Sequence, residues 1–386
     1  MIITFYNHKG GVHKTTLAHD VAFALTKQKD VKKVLLIDSD SQGNLTSSIY
    51  GLADFYNDFY SSEKSLFDFM ATKEDVWSVN TKTHMTISEF LDDAINNESN
   101  HVSKPFFCHK HNENLHLMSG AINLHKIEID LFAISQLERS SVIFGRIQNR
   151  LNQLKNIYDF IVIDTSPSSS SIINALFVMM SDAFISPSTP QFYSAQSAGV
   201  LLDIMTQWRS LLKFAEKKRG LEGVLMDPIF LGICMQKVRR YDGTSNINEV
   251  SHSHNAWLQH VNSHLMSMEK ASYFKQDIFK KCFPSSAPYI VTNIFDRTEG
   301  LMYVADKASK PFYAITQDDC RMYRPLTSKG QKSTPYDITN PSRTRNGTSI
   351  TNEPYHVKKK VDKELDYIAE GLVQFKNLAS ISKRYY

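Results

Sequence analysis

Residues 7–16 read Asn7-His8-Lys9-Gly10-Gly11-Val12-His13-Lys14-Thr15-Thr16 and join an apolar run, Ile2–Tyr6, to a helical pattern. A glycine turn at such a junction converges backbone N–H groups and a helix N-terminus on one point, which suits phosphate oxygens. Lys14 can reach β- and γ-phosphates, and the Thr15 hydroxyl can ligate Mg2+. The general pattern GxxxxGK[ST] is not met, because its glycine positions hold His8 and His13. Glycine at the second of these lets backbone approach phosphate closely, so His13 is the serious departure.

Two further segments end apolar runs in carboxylates. Leu35-Leu36-Ile37-Asp38-Ser39-Asp40-Ser41-Gln42-Gly43-Asn44 puts Asp38 at a strand end, where it can hold Mg2+ through water. Asp40, two residues on, can polarise an attacking water. Tyr158-Asp159-Phe160-Ile161-Val162-Ile163-Asp164-Thr165-Ser166-Pro167 ends its strand at Asp164. An unpaired charge there would be costly, and a hydrated Mg2+ is its natural partner.

With these residues in place, the chain resembles the ParA/MinD family of deviant Walker A P-loop ATPases. Lys9-Gly10-Gly11-Val12 with Lys14-Thr15-Thr16 matches the usual KGGVGKTT except at His13, and Asp38–Asn44 matches DxDPQGN with Ser41 for Pro. The turn Ser186–Ser194 and the strand Leu231–Val238 also resemble family segments, the latter with Gln236 where Asn usually lies near adenine. The likeness covers about residues 1–50, 113–236 and 289–380, and most resembles ParA/Soj-type partition ATPases. It implies ATP and Mg2+ as ligands, with Gly10, Gly11, Val12, His13, Lys14, Thr15, Thr16 and Gln236 around the nucleotide. Thr15, Asp38 and Asp164 would serve the metal, and Lys9, Lys14 and Asp40 catalysis. Lys9 would reach across an ATP-dependent sandwich homodimer. The implied activity is ATP hydrolysis, slow and partner-stimulated, that moves DNA or other cargo, with non-specific DNA and a ParB-like activator as partners. Two other readings are a non-hydrolysing nucleotide-binding subunit of a nucleic-acid or defence complex, and a MinD-like membrane-positioning ATPase.

The chain that must position these groups has 386 residues, 42% hydrophobic and 22% charged, with 15 Gly and 12 Pro. That excludes collagen-like and largely disordered classes. The net charge is only +4, but residues 321–360 hold nine Lys/Arg against Asp337 and Glu353. Within that stretch Arg343, Arg345, Lys358 and Lys359 are the candidate DNA-facing residues, since clustered cations drive non-specific binding. Cys108, Cys234, Cys282 and Cys320 lie far apart without a CxxC, which fits a reducing compartment. No leader pattern or membrane-length apolar run is present, so a cytoplasmic, nucleoid-associated protein is expected.

Apolar β-branched runs alternate with helical patterns, predicting an α/β fold with a mostly parallel sheet flanked by helices on both faces. Expected strands are Ile2–Tyr6, Val34–Asp38, Asn114–Met118, Phe160–Asp164, Ala183–Pro187, Ile229–Met235 and Tyr289–Asn293. Helices are expected at about 14–28, 64–70, 86–97, 138–156, 170–180, 194–217, 253–271, 300–308 and 358–380. Residues 52–112, 238–288 and 316–357 read as two insertions and a long loop on a single P-loop domain spanning 1–386. The terminal helix carries one apolar face, Val361, Leu365, Ile368, Leu372 and Phe375, and Asp362, Glu364, Asp366 and Glu370 on its polar side oppose an anionic bilayer. The histidines at 252–264 and the Cys108, His109, His111 and His116 cluster lack a complete ligand set, so no metal site is assigned to either.

Overall fold

The computed structural model describes residues 1–50, 84–97, 104–137 except 122, 140–191, 200–212 except 202, 228–238, 252–267, 274–324 except 298, and 331–382 except 346, 347 and 352. The expected helix at 64–70, the outer parts of the one at 194–217, Lys329 and the terminal tyrosines lie outside the described residues.

Eight strands form one sheet: β1 Ile2–Phe5, β2 Val34–Asp38, β3 Phe107–His109, β4 Asn112–Met118, β5 Phe160–Asp164, β6 Ala183–Ser188, β7 Ile229–Val238 and β8 Ile290–Phe295. Their order is β3-β4-β2-β5-β1-β6-β7-β8, and every pairing is parallel except β3 against β4. β1, β2, β5 and β6 are buried at every residue, which is why their sequences are mostly apolar and do not alternate with polar residues facing water. The helices are α1 Lys14–Leu25, α2 Asn44–Tyr50, α3 Ile87–Asn96, α4 Leu124–Ser135, α5 Ser140–Leu154, α6 Ile172–Met179, α7 His252–Ser267, α8 Gln276–Cys282, α9 Glu299–Ala308, α10 Gln317–Met322 and α11 Glu353–Ser382. Residues 203–212 are also helical.

All seven expected strands are present, within a few residues at their ends. The edge strand β3, the short helices α2, α8 and α10, the helix α4 and a hairpin, β9 Ser342–Arg345 with β10 Thr348–Thr351, were not expected. Most are shorter than the window over which periodicity can be recognised. The stretch read as a loop, 316–357, therefore holds structure, opening with a capping box in which Thr316 and Asp319 close α10. Residues 84–112 likewise join the main body. Thr86 and Glu89 box the start of α3, whose Phe90, Leu91 and Ala94 are buried, and β3 extends the sheet.

The terminal helix is longer than its expected span and buries the apolar face anticipated for it, with Val357 and Ala369 added. It packs against α1, α8 and β8. Consequently α1 is covered on its outer side as well, and Leu17 through Leu25 are all buried. Within those described residues no helix is long and apolar enough to cross a membrane.

Candidate functional site

Register creates the site. β5 pairs with β1 and β2 so that Phe5, Asp38 and Asp164 stand side by side where the three strands end. The loop after β1 therefore starts beside two carboxylates that are distant in sequence. Asn7 fixes that loop: its Nδ2 donates to the Pro187 carbonyl at 2.7 Å, and its Oδ1 accepts from the Lys9 N–H at 2.9 Å. Gly11 has φ 73°, and His13 is left-handed too, at φ 57° and ψ 37°. Histidine is among the residues that enter this region more readily than most. The turn is thus made with histidine in the glycine position. No side chain caps α1, so its first N–H groups point into the loop.

The charged groups here have contrasting surroundings. Lys14 is buried, which lowers its pKa, while Asp164 and Asp40 oppose that shift. Asp38 is fully buried. Its Oδ2 accepts from the Thr46 N–H at 2.8 Å and hydroxyl at 2.7 Å, and its Oδ1 from the Asp40 N–H at 3.2 Å. Burial raises its pKa to about 6, and these bonds restrain the rise. Asp164 is equally buried, yet neither carboxylate oxygen accepts a hydrogen bond of acceptable geometry. Burial pushes it up to about 8, opposed chiefly by Lys14 and, less strongly, by the nearby Thr15 hydroxyl. Asp40 is buried and accepts from the Gln42 N–H at 3.0 Å.

A groove of about 600 Å3 runs over the loop. Residues Gly10 through Thr16, Asp40, Gln42 and Pro167 line it together with Met302, Ala305, Lys310, Pro311 and Phe312. The orphaned Asp164 carboxylate, the Thr15 hydroxyl and the Lys14 ammonium suit a triphosphate carrying a divalent cation. Among the described residues no three His, Cys, Asp or Glu side chains are gathered to chelate a metal alone. A Mg2+ here would complete its octahedron with phosphate oxygens and water.

Other expected site residues lie elsewhere. Gln236 is buried outside the groove lining, donating from Nε2 to Cys234 Sγ at 3.2 Å and accepting from Arg297 Nη1 at 3.2 Å. Arg297 also pairs with Asp20 of α1 at 2.8 Å, and Asp20 accepts from the Tyr313 N–H. Lys9 is partly buried beside the groove and does not line it. Of the expected DNA-facing residues, Arg343 and Arg345 fall on β9 and Lys359 is exposed on α11. Lys358 is instead buried, bonded to Asp362 and to the Tyr313 carbonyl, with its ammonium over the Phe312 and Tyr313 rings. Sequence reasoning missed Thr46, which holds Asp38, and the groove wall Pro311–Phe312. Tertiary turns create both, without a sequence motif.

The family model AAA_31, described as an AAA domain, matches residues 1–215. A "ParA family protein" of Mycoplasma pneumoniae is 26% identical over 226 residues, 58% of this chain and 70% of that protein. The sporulation initiation inhibitor protein Soj of Bacillus subtilis is 28% identical over 246 residues, 62% of this chain and 79% of Soj. Among solved structures, apo McdA from Cyanothece superposes with a TM-score of 0.50 at 18% identity, covering 81% of this chain and 91% of that one. That likeness concerns the fold.

Proposed function

The chain belongs to the AAA_31 family of AAA domains, within the ParA/MinD type of P-loop ATPases, and we propose that it is a partition ATPase that binds Mg-ATP, dimerises around it and hydrolyses it. The observation that carries this reading is that Lys14, Thr15 and Asp40 line one groove, and that Lys14 and Thr15 act on the fully buried Asp164, neither of whose carboxylate oxygens accepts a hydrogen bond of good geometry. ATP would lay its phosphates on the N–H groups of residues 10–16. Lys14 would neutralise β/γ-phosphate charge, and Asp40 would orient the water that attacks the γ-phosphorus as the bond to the β-phosphate breaks. Thr15 and Asp164, with Asp38 behind them, would hold Mg2+, which supplies charge neutralisation on the phosphates when bound. Lys9, preceding Gly10-Gly11, would serve the triphosphate of a second subunit.

The whole chain, 1–386, is read as one P-loop domain with insertions at about 52–112, 238–288 and 316–357. Non-specific DNA, met by Arg343, Arg345 and Lys359, and a ParB-like activator are the proposed partners, with the nucleoid as the place of work. ATP turnover with and without DNA, alongside light scattering, tests the scheme. Asp40→Ala should lose at least a hundredfold in turnover yet bind an ATP analogue within a few-fold of wild type. Lys9→Ala should fail to dimerise while keeping most nucleotide affinity. A wild type that binds Mg-ATP but stays monomeric and inactive would sink the hydrolytic cycle.

A further inference from the structure

A second cleft, of about 560 Å3, shares no lining residue with the nucleotide groove. It lies at β8, the last strand in the sheet order, and four consecutive residues of that strand, Ile290–Asn293, line it. Side chains alternate between the two faces of a strand, so a cleft on one face would meet every second residue. Lining by all four brings the cleft to the edge of the strand. Ser286 lines it too, and its hydroxyl donates to the Val291 carbonyl at 2.5 Å. Helix α7 contributes Asn255, Gln259 and Asn262, a stripe of carboxamides at i, i+4 and i+7 on one helix face. Helix α11 contributes Lys360, Lys363, Glu364 and Tyr367, again spaced as one face.

We propose that this cleft binds an extended peptide segment of a protein partner, which adds to β8 as a further strand and carries an acidic side chain. Asn262 and Asn293 each shield Oδ1 from solvent without a hydrogen-bond partner among the described residues. An acceptor left so is costly, and a ligand that donates an N–H to it recovers that cost. A carboxamide offers an oxygen acceptor and N–H donors, which is the complement of a peptide group. The edge of β8 offers the same pair in its main-chain groups, since no strand of the described sheet lies beyond it. The lengths agree as well. Four strand residues span about 13 Å, and the carboxamide stripe on α7 spans about 10 Å, so one short extended segment can meet both. Charge selects the acidic side chain. Lys360 and Lys363 line the cleft against one carboxylate, Glu364, to which the Thr292 hydroxyl already donates. The segment 238–288, read as an insertion, supplies α7 and with it the carboxamide stripe.

Random nonapeptides displayed on phage and selected on the full chain without nucleotide test this, so the outcome does not depend on the ATP site. Selected binders should carry Asp or Glu. As synthetic peptides they should lose about tenfold in affinity for Asn262→Leu and for Asn293→Leu, read by fluorescence anisotropy. Leucine keeps the bulk and removes the orphaned oxygen, so both variants should unfold no earlier than wild type, which separates lost binding from lost folding. Methylating one peptide nitrogen at a time should weaken binding at alternate positions, because every second N–H of an added strand faces its neighbour. Lys363→Glu should weaken the acidic binders. A selection that yields no peptide preferring wild type to both leucine variants overturns the site. Binding that tolerates a methyl on every nitrogen overturns strand addition, and undiminished affinity for Lys363→Glu overturns the acidic preference.

Discussion

Asp38 and Asp164 are neighbours in register, equally buried, and chemically unlike. Asp38 is filled by bonds that tie β2 to the start of α2, whereas Asp164 has no such bond on either oxygen. Removing one should loosen the fold, and removing the other should remove a ligand. Asp38→Ala leaves the buried Thr46 N–H and hydroxyl without an acceptor and should cost about 1–3 kcal/mol in denaturant unfolding. Asp164→Asn should leave the ligand-free protein about as stable as wild type, because burial that raises the Asp164 pKa to about 8 already favours the neutral acid whose shape asparagine keeps. The same variant should lose the stabilisation that Mg-ATP gives wild type, about 2.7 kcal/mol at a hundredfold excess over Kd. Thermal shifts with and without Mg-ATP read both effects, and a normal ligand shift in Asp164→Asn would remove Asp164 from the metal site. The chemistry of these carboxylates was legible in sequence, since each ends an apolar run. Their difference was not, because the Thr46 contact forms only when the chain turns back after β2.

At the scale of elements, strands buried on both faces were the most legible features, because mostly apolar runs fill them. The helix α11 was legible for the opposite reason: one of its faces stays polar. Burying Leu372 on that helix should matter to the whole fold, since α11 covers α1 and therefore the phosphate loop. Leu372→Ala should cost about 2–5 kcal/mol, measured by unfolding. A cost below 1 kcal/mol would mean that α11 is peripheral. The edge strand β3 was not legible, and a histidine pair accompanies it. His109 Nε2 lies 3.3 Å from His19 Nε2, while its Nδ1 accepts from the His111 N–H at 3.1 Å. Accepting at Nδ1 puts the His109 proton on Nε2, so His109 donates to a neutral His19 across the β3–α1 contact. Burial, with the charges of His111 and Lys110, depresses the His109 pKa from 6.5 to about 4, and burial depresses His19 as well. A histidine kept neutral by folding contributes its stability above the unfolded value and loses it as pH falls. Stability should therefore decline between about pH 6.5 and 4. The slope should be shallower in His109→Gln, and identical slopes in chemical denaturation at stepped pH would assign the decline to other groups.

Across the whole molecule, the basic stretch and the phosphate loop meet through one helix. The β9–β10 hairpin carrying Arg343 and Arg345 leads directly into α11, which packs along α1 behind the loop. Buried polar bonds strengthen that junction: Arg297 joins α1 to Gln236, and Lys358 joins α11 to the turn at Tyr313. Lys358 was grouped in sequence with Arg343, Arg345 and Lys359 because charge runs carry no mark of burial. Here it braces the scaffold and leaves Arg343, Arg345 and Lys359 as the candidate DNA contacts. Each phosphate neutralised releases condensed counterions, so log K should fall with log salt by roughly 0.9 per contact. Reversing Arg343, Arg345 and Lys359 to Glu together should weaken binding to unrelated DNA sequences alike and flatten the salt slope by about two to three. Lys358→Glu should act differently, placing a carboxylate beside Asp362 and lowering stability before any DNA is present. Fluorescence anisotropy across a salt series, with ATP analogue bound, separates the two classes. An unchanged slope in the triple variant would move the DNA surface away from this hairpin, whatever the nucleotide site does.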